Sequence, residues 1–389
     1  MAANEIELAD IRRLARTDSP DLAEVVIAFL RQPDPRPEKA PAPGALTLQQ
    51  FLSNVTAGTL RWVKPKERRE KVTAQWKAFL AQTEPPPPPR FELAALLVDV
   101  YERNTDAGRA ALLDIIKGAD LKFGLWGGLK RIYKLAETRL DAEVFGALAW
   151  RVDSAYAAHR HGEVSIGTML YLRRRAWRFL RELGAAVPAL YPQFAVQVLK
   201  HFTRDTNFQA TWVAMHVWSH GTKKYDTRKF SVSVPNNMLT HRAYDDAWKR
   251  SADPLMELLE SCNADPPAKF AIQGLRRDFP ERLRSVTPAW LDRLARRPLE
   301  SAHEFLIETL QGSAEFHQGK LRAIGLHEAV LALLNSPSAR ARAYAIEYAR
   351  AHAQDLPVDR LIALLETPYN DTRSYASSTL QSMAPRTLG

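Results

Sequence analysis

Arg173, Arg174, Arg175, Arg178 and Arg181 crowd one stretch of the chain, with Trp177 among them. At helical spacing Arg174, Arg178 and Arg181 fall on a single face, at i, i+4 and i+7. A guanidinium presents a planar fork of donors that matches a phosphate, so such a row can follow successive phosphates of a nucleic acid backbone. The same row serves equally as a solvated face, or pairs with acids of a neighbouring helix. A second basic cluster, Lys223, Lys224, Arg228 and Lys229, lies beside Tyr225 and Phe230 in the stretch 221–240. A basic loop of this composition can embrace a backbone and place rings against bases; the alternative is an ordinary surface loop. Further basic pairs occur at Arg276-Arg277, Arg282 with Arg284, and Arg296-Arg297, near expected helix ends where cations also complement the helix dipole.

Trp212, His216, Trp218 and His220 crowd another segment. His216 and His220 have the i, i+4 spacing of a metal pair, but Val217 stands where a zincin carries glutamate, and no acid or cysteine completes a local set. No metal and no cofactor are expected. Trp212 or Trp218 could wall a sugar and base if a carboxylate stood nearby, with Asp226, Asp245 and Asp246 as candidates. Cleavage of an N-glycosidic bond builds positive charge on the sugar, which a fixed carboxylate stabilises. Nothing in the spacing singles out one aspartate. Gly124, Gly127 and Gly128 around Trp126 lack the preceding strand and following Gly-Lys of a phosphate loop.

The elements that must position these residues read as helices. Hydrophobic residues make up 46% and charged residues 25% of the 389, the balance of a folded chain. The net charge of +10 calls for an acidic partner, duplex DNA most simply, unless arginine content merely tracks a GC-rich genome. One cysteine, Cys262, excludes an internal disulfide framework and suits a reducing, cytoplasmic setting. The N-terminus, Met1 to Glu7, carries acids where a secretory signal needs a basic start, and no apolar run is long enough to span a membrane.

Helical periodicity begins at residues 5–31, pauses over the prolines from Pro33 to Pro43, and resumes from Leu46 to Leu80 with a break at Lys64-Pro65-Lys66. There Lys64, Lys66, Arg68, Arg69 and Lys71 sit between Trp62 and Trp76. The run Pro85 to Pro89 predicts a polyproline spacer and a domain boundary. Helix follows helix from Phe91 onward. Phe230 to Val234 alternates over a short stretch and reads as a hairpin arm or an extended loop. Near the C-terminus Leu333-Leu334-Asn335-Ser336-Pro337 with Arg342, Tyr344 and Ala345 reappears 31 residues later as Leu364-Leu365-Glu366-Thr367-Pro368 with Arg373, Tyr375 and Ala376. Leu258-Leu259-Glu260-Ser261, then Lys269, Phe270 and Ala271, is a looser upstream copy. A period of helix-pair length marks stacked repeats, none of which can bury its apolar face alone. The expected fold is all-α: a HEAT-like solenoid over residues 91–389 behind a small N-terminal helical region, residues 1–84.

Several of these stretches carry a resemblance. Arg131-Ile132-Tyr133-Lys134-Leu135-Ala136-Glu137, the run Asp141 to Arg151, the run Tyr171 to Arg181, and Ala247-Trp248 with Pro254 to Leu259 are similar, in the same order, to a helical region of bacterial WGR-associated, molybdate-metabolism-regulator-like proteins. The resemblance covers roughly residues 120–380 and does not include the WGR module, so it implies a helical fold and a DNA-related setting rather than a reaction. More distantly, Asp371-Thr372-Arg373, with Arg342 at the equivalent place, resembles the second-helix start of HEAT-like repeats. One such family, the bacterial alkylpurine DNA glycosylases, binds duplex DNA on a concave basic face and places tryptophans and an aspartate at the lesion. Three readings follow: a DNA-binding module in repair or antiphage defence, a monofunctional DNA glycosylase working in the same groove, and a protein-interaction scaffold.

Overall fold

The computed structural model describes residues 5–32, 65–82, 93–158, 160, 162–220, 222 and 233–387. Among these the chain is all-helical. Two isolated bridges, Thr203–Asn263 and Ser219–His241, are the only β-type pairings. The proline runs, Phe230 to Val232 of the alternating stretch, and the loop residues Lys223, Lys224, Tyr225, Asp226, Arg228 and Lys229 lie outside the described residues. Contacts divide the chain into two compact units, residues 1–111 with 122–128, and residues 112–121 with 129–389. The polyproline boundary expected after residue 84 is likewise undescribed, and the first unit runs past it.

In the first unit α1 (Leu8–Arg16) packs on α2 (Leu22–Arg31) and on α4 (Ala94–Arg103); α3 spans Pro65–Gln82. Ile11, Val26, Leu30 and Leu97 close its core. Arg103 ties the helices together, donating to the Ala15 carbonyl (2.5 Å) and pairing with Asp18 (3.2 Å).

The second unit is built on α7 (Ala142–Ala157), α8 (Ile166–Ala186) and α9 (Tyr191–Leu199), which follow α5 (Asp106–Gly118) and α6 (Phe123–Thr138). Phe145, Phe179 and Phe194, one from each of α7, α8 and α9, meet with ring centroids 4.6–5.5 Å apart. Such pairs contribute about 0.5–1.5 kcal/mol each beyond the area they bury. Helices α7 and α9 approach so closely that a Cβ at Gly146 would stand 2.4 Å from the Gln197 backbone, so the sequence needs glycine there. Helix α10 (Trp212–Ser219) packs on α7, α8 and α9, and the short α11 (Asp245–Trp248) on α9.

The remaining helices come in pairs: α12 (Asp253–Ser261) with α13 (Asp265–Asp278), α15 (Pro288–Ala295) with α16 (Glu300–Gln311), α17 (His327–Ala332) with α18 (Ala339–His352), and α19 (Val358–Leu365) with α20 (Asn370–Thr387). The short α14 (Pro280–Arg284) links the first two pairs. Helix α13 packs on α16, α16 on α18, and α18 on α20, while α12 packs on α15 and α15 on α17. The pairs therefore stack in two rows. Side chains bond from pair to pair: Ser301 to Asp265 (2.6 Å), His303 to Ser336 (2.8 Å) and Arg342 to Asp371 (2.8 Å). The pair α15–α16 escaped the sequence reading. Its turn is Leu294-Ala295-Arg296-Arg297-Pro298 instead of Leu-Leu-x-Ser/Thr-Pro, and residues 312–326 lengthen the step to the next pair.

The 31-residue register also locates an exposed face. Leu331 and Leu334 are 2% and 0% exposed, whereas their counterparts one period on, Ile362 and Leu365, are 49% and 37% exposed.

Candidate nucleic-acid interface

Helix α8 is where the arginine cluster resolves into separate roles. Ser165 caps it, its hydroxyl accepting from the Thr168 N–H (3.2 Å). Met169, Leu172, Ala176, Leu180 and Leu183 form the buried stripe. The spacing that turns these inward turns Tyr171, Arg174, Arg178 and Arg181 outward, and all four are exposed. Among the described residues, none of these three arginines makes an ion pair, although the Arg178 charge is felt by Glu137. Two are steadied by indoles instead: the Arg181 guanidinium lies 4.7 Å over the Trp177 ring, and Arg174 lies 5.9 Å from the Trp212 ring centre.

Arg173 does not belong to this row. Its side chain is fully buried, donating to Asp153 (2.6 Å) and to the Ala210 carbonyl (2.6 Å), with Tyr156 stacked against it at 4.0 Å. The same Asp153 carboxylate accepts the backbone N–H groups of Trp212 (3.0 Å) and Val213 (2.8 Å). It thus caps α10 from α7, a task that Thr211 at the cap position leaves undone. A sequence count of positive charge includes Arg173, but its charge is cancelled inside the fold.

Arg175 is also taken. It holds Glu137 through two nitrogens (2.5 and 2.9 Å) and reaches the Tyr171 hydroxyl in a long contact of 3.4 Å. Burial raises the Glu137 carboxyl above its ordinary range, against the opposing pull of Arg175. At the other end the Arg175 hydrogen bond, with the charges of Arg175, Lys134 and Arg178, holds the Tyr171 phenol below its usual value. Positive potential thus converges on the Tyr171 tip.

These side chains border an open groove of about 730 Å3, lined by Gly167, Leu170, Tyr171, Arg174, Trp177 and Arg178 and closed by Trp212. Among the described residues no carboxylate lines it. Trp177 and Trp212 give it a rigid floor, 7% and 2% exposed, with ring centres 6.0 Å apart. A Cβ built on Gly167 would meet nothing within 4 Å, so the groove is open beside it.

The catalytic set that the sequence suggested is not gathered here. Trp212 reaches the groove, but Trp218 is fully buried, its indole N–H directed at the Met215 sulfur (3.2 Å) and its ring among Phe208 and Phe270. Asp245 sits in a separate ion network with Arg242 (2.8 Å), Lys249 (2.7 Å) and Arg277 (2.6 Å). Partial burial opposes its ionisation, but the Lys249 and Arg277 hydrogen bonds and the Arg242 charge outweigh that and lower its pKa to about 2. It is a structural counter-ion. The Asp246 side chain is 94% exposed and, among the described residues, pairs only with Lys249. Asp226 lies outside the described residues.

Arg276 and Arg277 are neutralised too: Arg276 pairs with Glu308, and Arg277 bridges Asp245 and Asp278. His216 is fully buried, bonded to the Tyr191 hydroxyl (2.8 Å), and burial drives its pKa well below the usual value. No described group of three or more ligating side chains could hold a metal ion. Cys262 is buried, and burial pushes its thiol up to about 12, which keeps it protonated and inert.

Two residues that shape the groove and its support were not singled out in the sequence. Tyr171 shares the exposed stripe of Arg174 and stands three residues before it, a spacing that was visible. Asp153 carries no local signal, because its partners lie 20 to 60 residues away.

No protein-family model matches the chain, and no curated protein or solved structure matches it. No described helix is long and apolar enough to cross a membrane.

Proposed function

We propose that the chain is a DNA-binding protein of HEAT-like helical-repeat architecture, gripping the phosphate backbone through the exposed face of α8. One observation carries the reading. Arg174, Arg178 and Arg181 stand on one face without described carboxylate partners, beside a groove that contains no described carboxylate. Several arginines elsewhere, such as Arg276, Arg277, Arg293 and Arg340, are held by acids, while the other exposed arginines without a described ion pair, such as Arg131, Arg250 and Arg350, do not line this groove. Leaving guanidinium groups unneutralised on an ordered helix face suits a polyanion, which supplies the missing negative charge. A role in DNA repair or defence rests on the sequence resemblance alone. The glycosylase alternative lacks a described carboxylate at the groove.

The test is the salt dependence of binding, measured by fluorescence anisotropy with labelled oligonucleotides. Each phosphate neutralised releases counterions, so three contacts give a log–log slope of about −2.7 on duplex or about −2.1 on a single strand. Binding that is absent or insensitive to salt sinks this reading and favours a protein-interaction scaffold.

A further inference from the structure

The groove holds more than a phosphate-binding face requires. Among the described residues the aromatic side chains are buried or half-buried, and the large apolar side chains left exposed are aliphatic, such as Leu140, Ile166 and Val187, with the exception of Tyr171 at 41%. That one exposed ring stands at the edge of a groove flanked by Arg174 and Arg178. Its hydroxyl has a described partner. Glu137, 8% exposed, fixes Arg175 bidentately, and Arg175 in turn reaches the Tyr171 hydroxyl in a long contact, so a chain of three side chains runs from the core to the ring's tip. Of the guanidiniums along this face, Arg174 lies near the Trp212 ring and Arg181, beyond the groove lining, lies over Trp177. Flat groups held in place beside cations are what an unstacked base needs: a π-face to lie on, with its flanking phosphates paired. The space, about 730 Å3, lies within the usual range for small-ligand sites and admits a nucleobase with its sugar. Intact duplex has no use for such a platform, because its base faces are already stacked on each other.

We infer that this groove is a subsite for an unpaired nucleobase, and that the preferred ligand is single-stranded DNA. The base stacks on Tyr171, and its flanking phosphates meet Arg174 and Arg178. Arg175 and Glu137 are positioning residues for the ring and touch no DNA. The inference rests on the DNA-binding reading above and narrows it from nucleic acid backbone in general to strands with unpaired bases.

The experiment compares a labelled single-stranded oligonucleotide with a blunt duplex of the same sequence, using the intact chain and four variants. Wild type binds the single strand more tightly. Tyr171→Ala weakens single-strand binding by about tenfold or more, the effect of removing one stacking platform, and leaves duplex binding unchanged. Tyr171→Phe keeps the ring and retains most of the affinity. Gly167→Phe projects a ring into the open side of the groove and selectively lowers single-strand affinity, a test that removes no contact of the fold. A bromouracil-substituted strand crosslinks on irradiation to a peptide containing Tyr171. Unchanged single-strand affinity in Tyr171→Ala and Gly167→Phe, or equal losses on duplex, overturns the base subsite. If Arg174→Ala with Arg178→Ala still weakens both ligands in that case, the phosphate reading survives alone. If the double variant binds both ligands like wild type, the DNA reading itself fails.

Discussion

Helix α8 and the helix pairs that follow it use arginine in opposite ways. In the stacked pairs, five arginines are fasteners between pairs. Arg293 pairs with Glu260, Arg322 with Asp355, Arg340 with Glu308, Arg342 with Asp371 and Arg360 with Glu328, each across 29 to 33 residues of sequence. The partner lies about one repeat away, so these bonds run between successive pairs and cancel charge as they form. On α8, Arg173 and Arg175 are fasteners of the same kind, while Arg174, Arg178 and Arg181 project with no described acid to meet them. Positive charge in the sequence is therefore a poor guide to positive potential on the surface. What matters is whether the fold brings an acid within reach.

The contrast can be broken most forcefully inside the core. Asp153→Ala leaves the Arg173 guanidinium buried without its counter-ion and α10 without its cap. A loss of about 3–5 kcal/mol is expected from breaking such a buried pair, read from urea unfolding. A loss comparable to that of a surface pair would show that Arg173 finds water or another acceptor.

The next largest effect belongs to the exposed row. Arg174→Ala with Arg178→Ala should flatten the salt dependence of DNA affinity by about 1.4 in slope on a single strand or about 1.8 on duplex and leave the unfolding midpoint where it was. A midpoint shift would mean that these side chains support the fold after all.

Acid acts on the second unit through two histidines shielded from water, His303 in the stacked pairs and His201 just after α9. Burial holds His303 down at about 4 despite its bond to the Ala295 carbonyl, and burial with the Lys200 and Lys117 charges holds His201 at about 3. The unfolded state takes up these protons near pH 6.5 and the folded state does not. Their contribution to stability is complete above about pH 6.5 and falls as pH drops toward 4. Urea unfolding at successive pH values should show this decline, and His303→Gln should reduce it. A stability flat across that window contradicts the assignment.

The smallest effect sharpens the comparison from the other side. Arg276→Ala and Arg340→Ala each remove one exposed partner of Glu308. Each should cost less than about 1 kcal/mol and leave DNA affinity unaltered. A clear loss of binding in either would extend the interface beyond α8.

The sequence by itself determined the helical class, because apolar residues recur at the period of a helix from Leu93 to Leu380, and it determined the stacking of the last pairs through the 31-residue echo. It also determined which face of α8 turns outward, since Met169, Leu172, Ala176 and Leu180 leave Tyr171, Arg174 and Arg178 no other side. Periodicity is a local property, and local properties survive reading one residue after another. Only the tertiary structure decided which arginines keep their charge, that Asp245 is a counter-ion, that Trp218 belongs to the core, and that Tyr171 is braced through Arg175 to Glu137. Those outcomes depend on groups tens of residues apart arriving within about 3 Å of each other, the range over which a hydrogen bond or ion pair acts, and no spacing along the chain encodes that meeting.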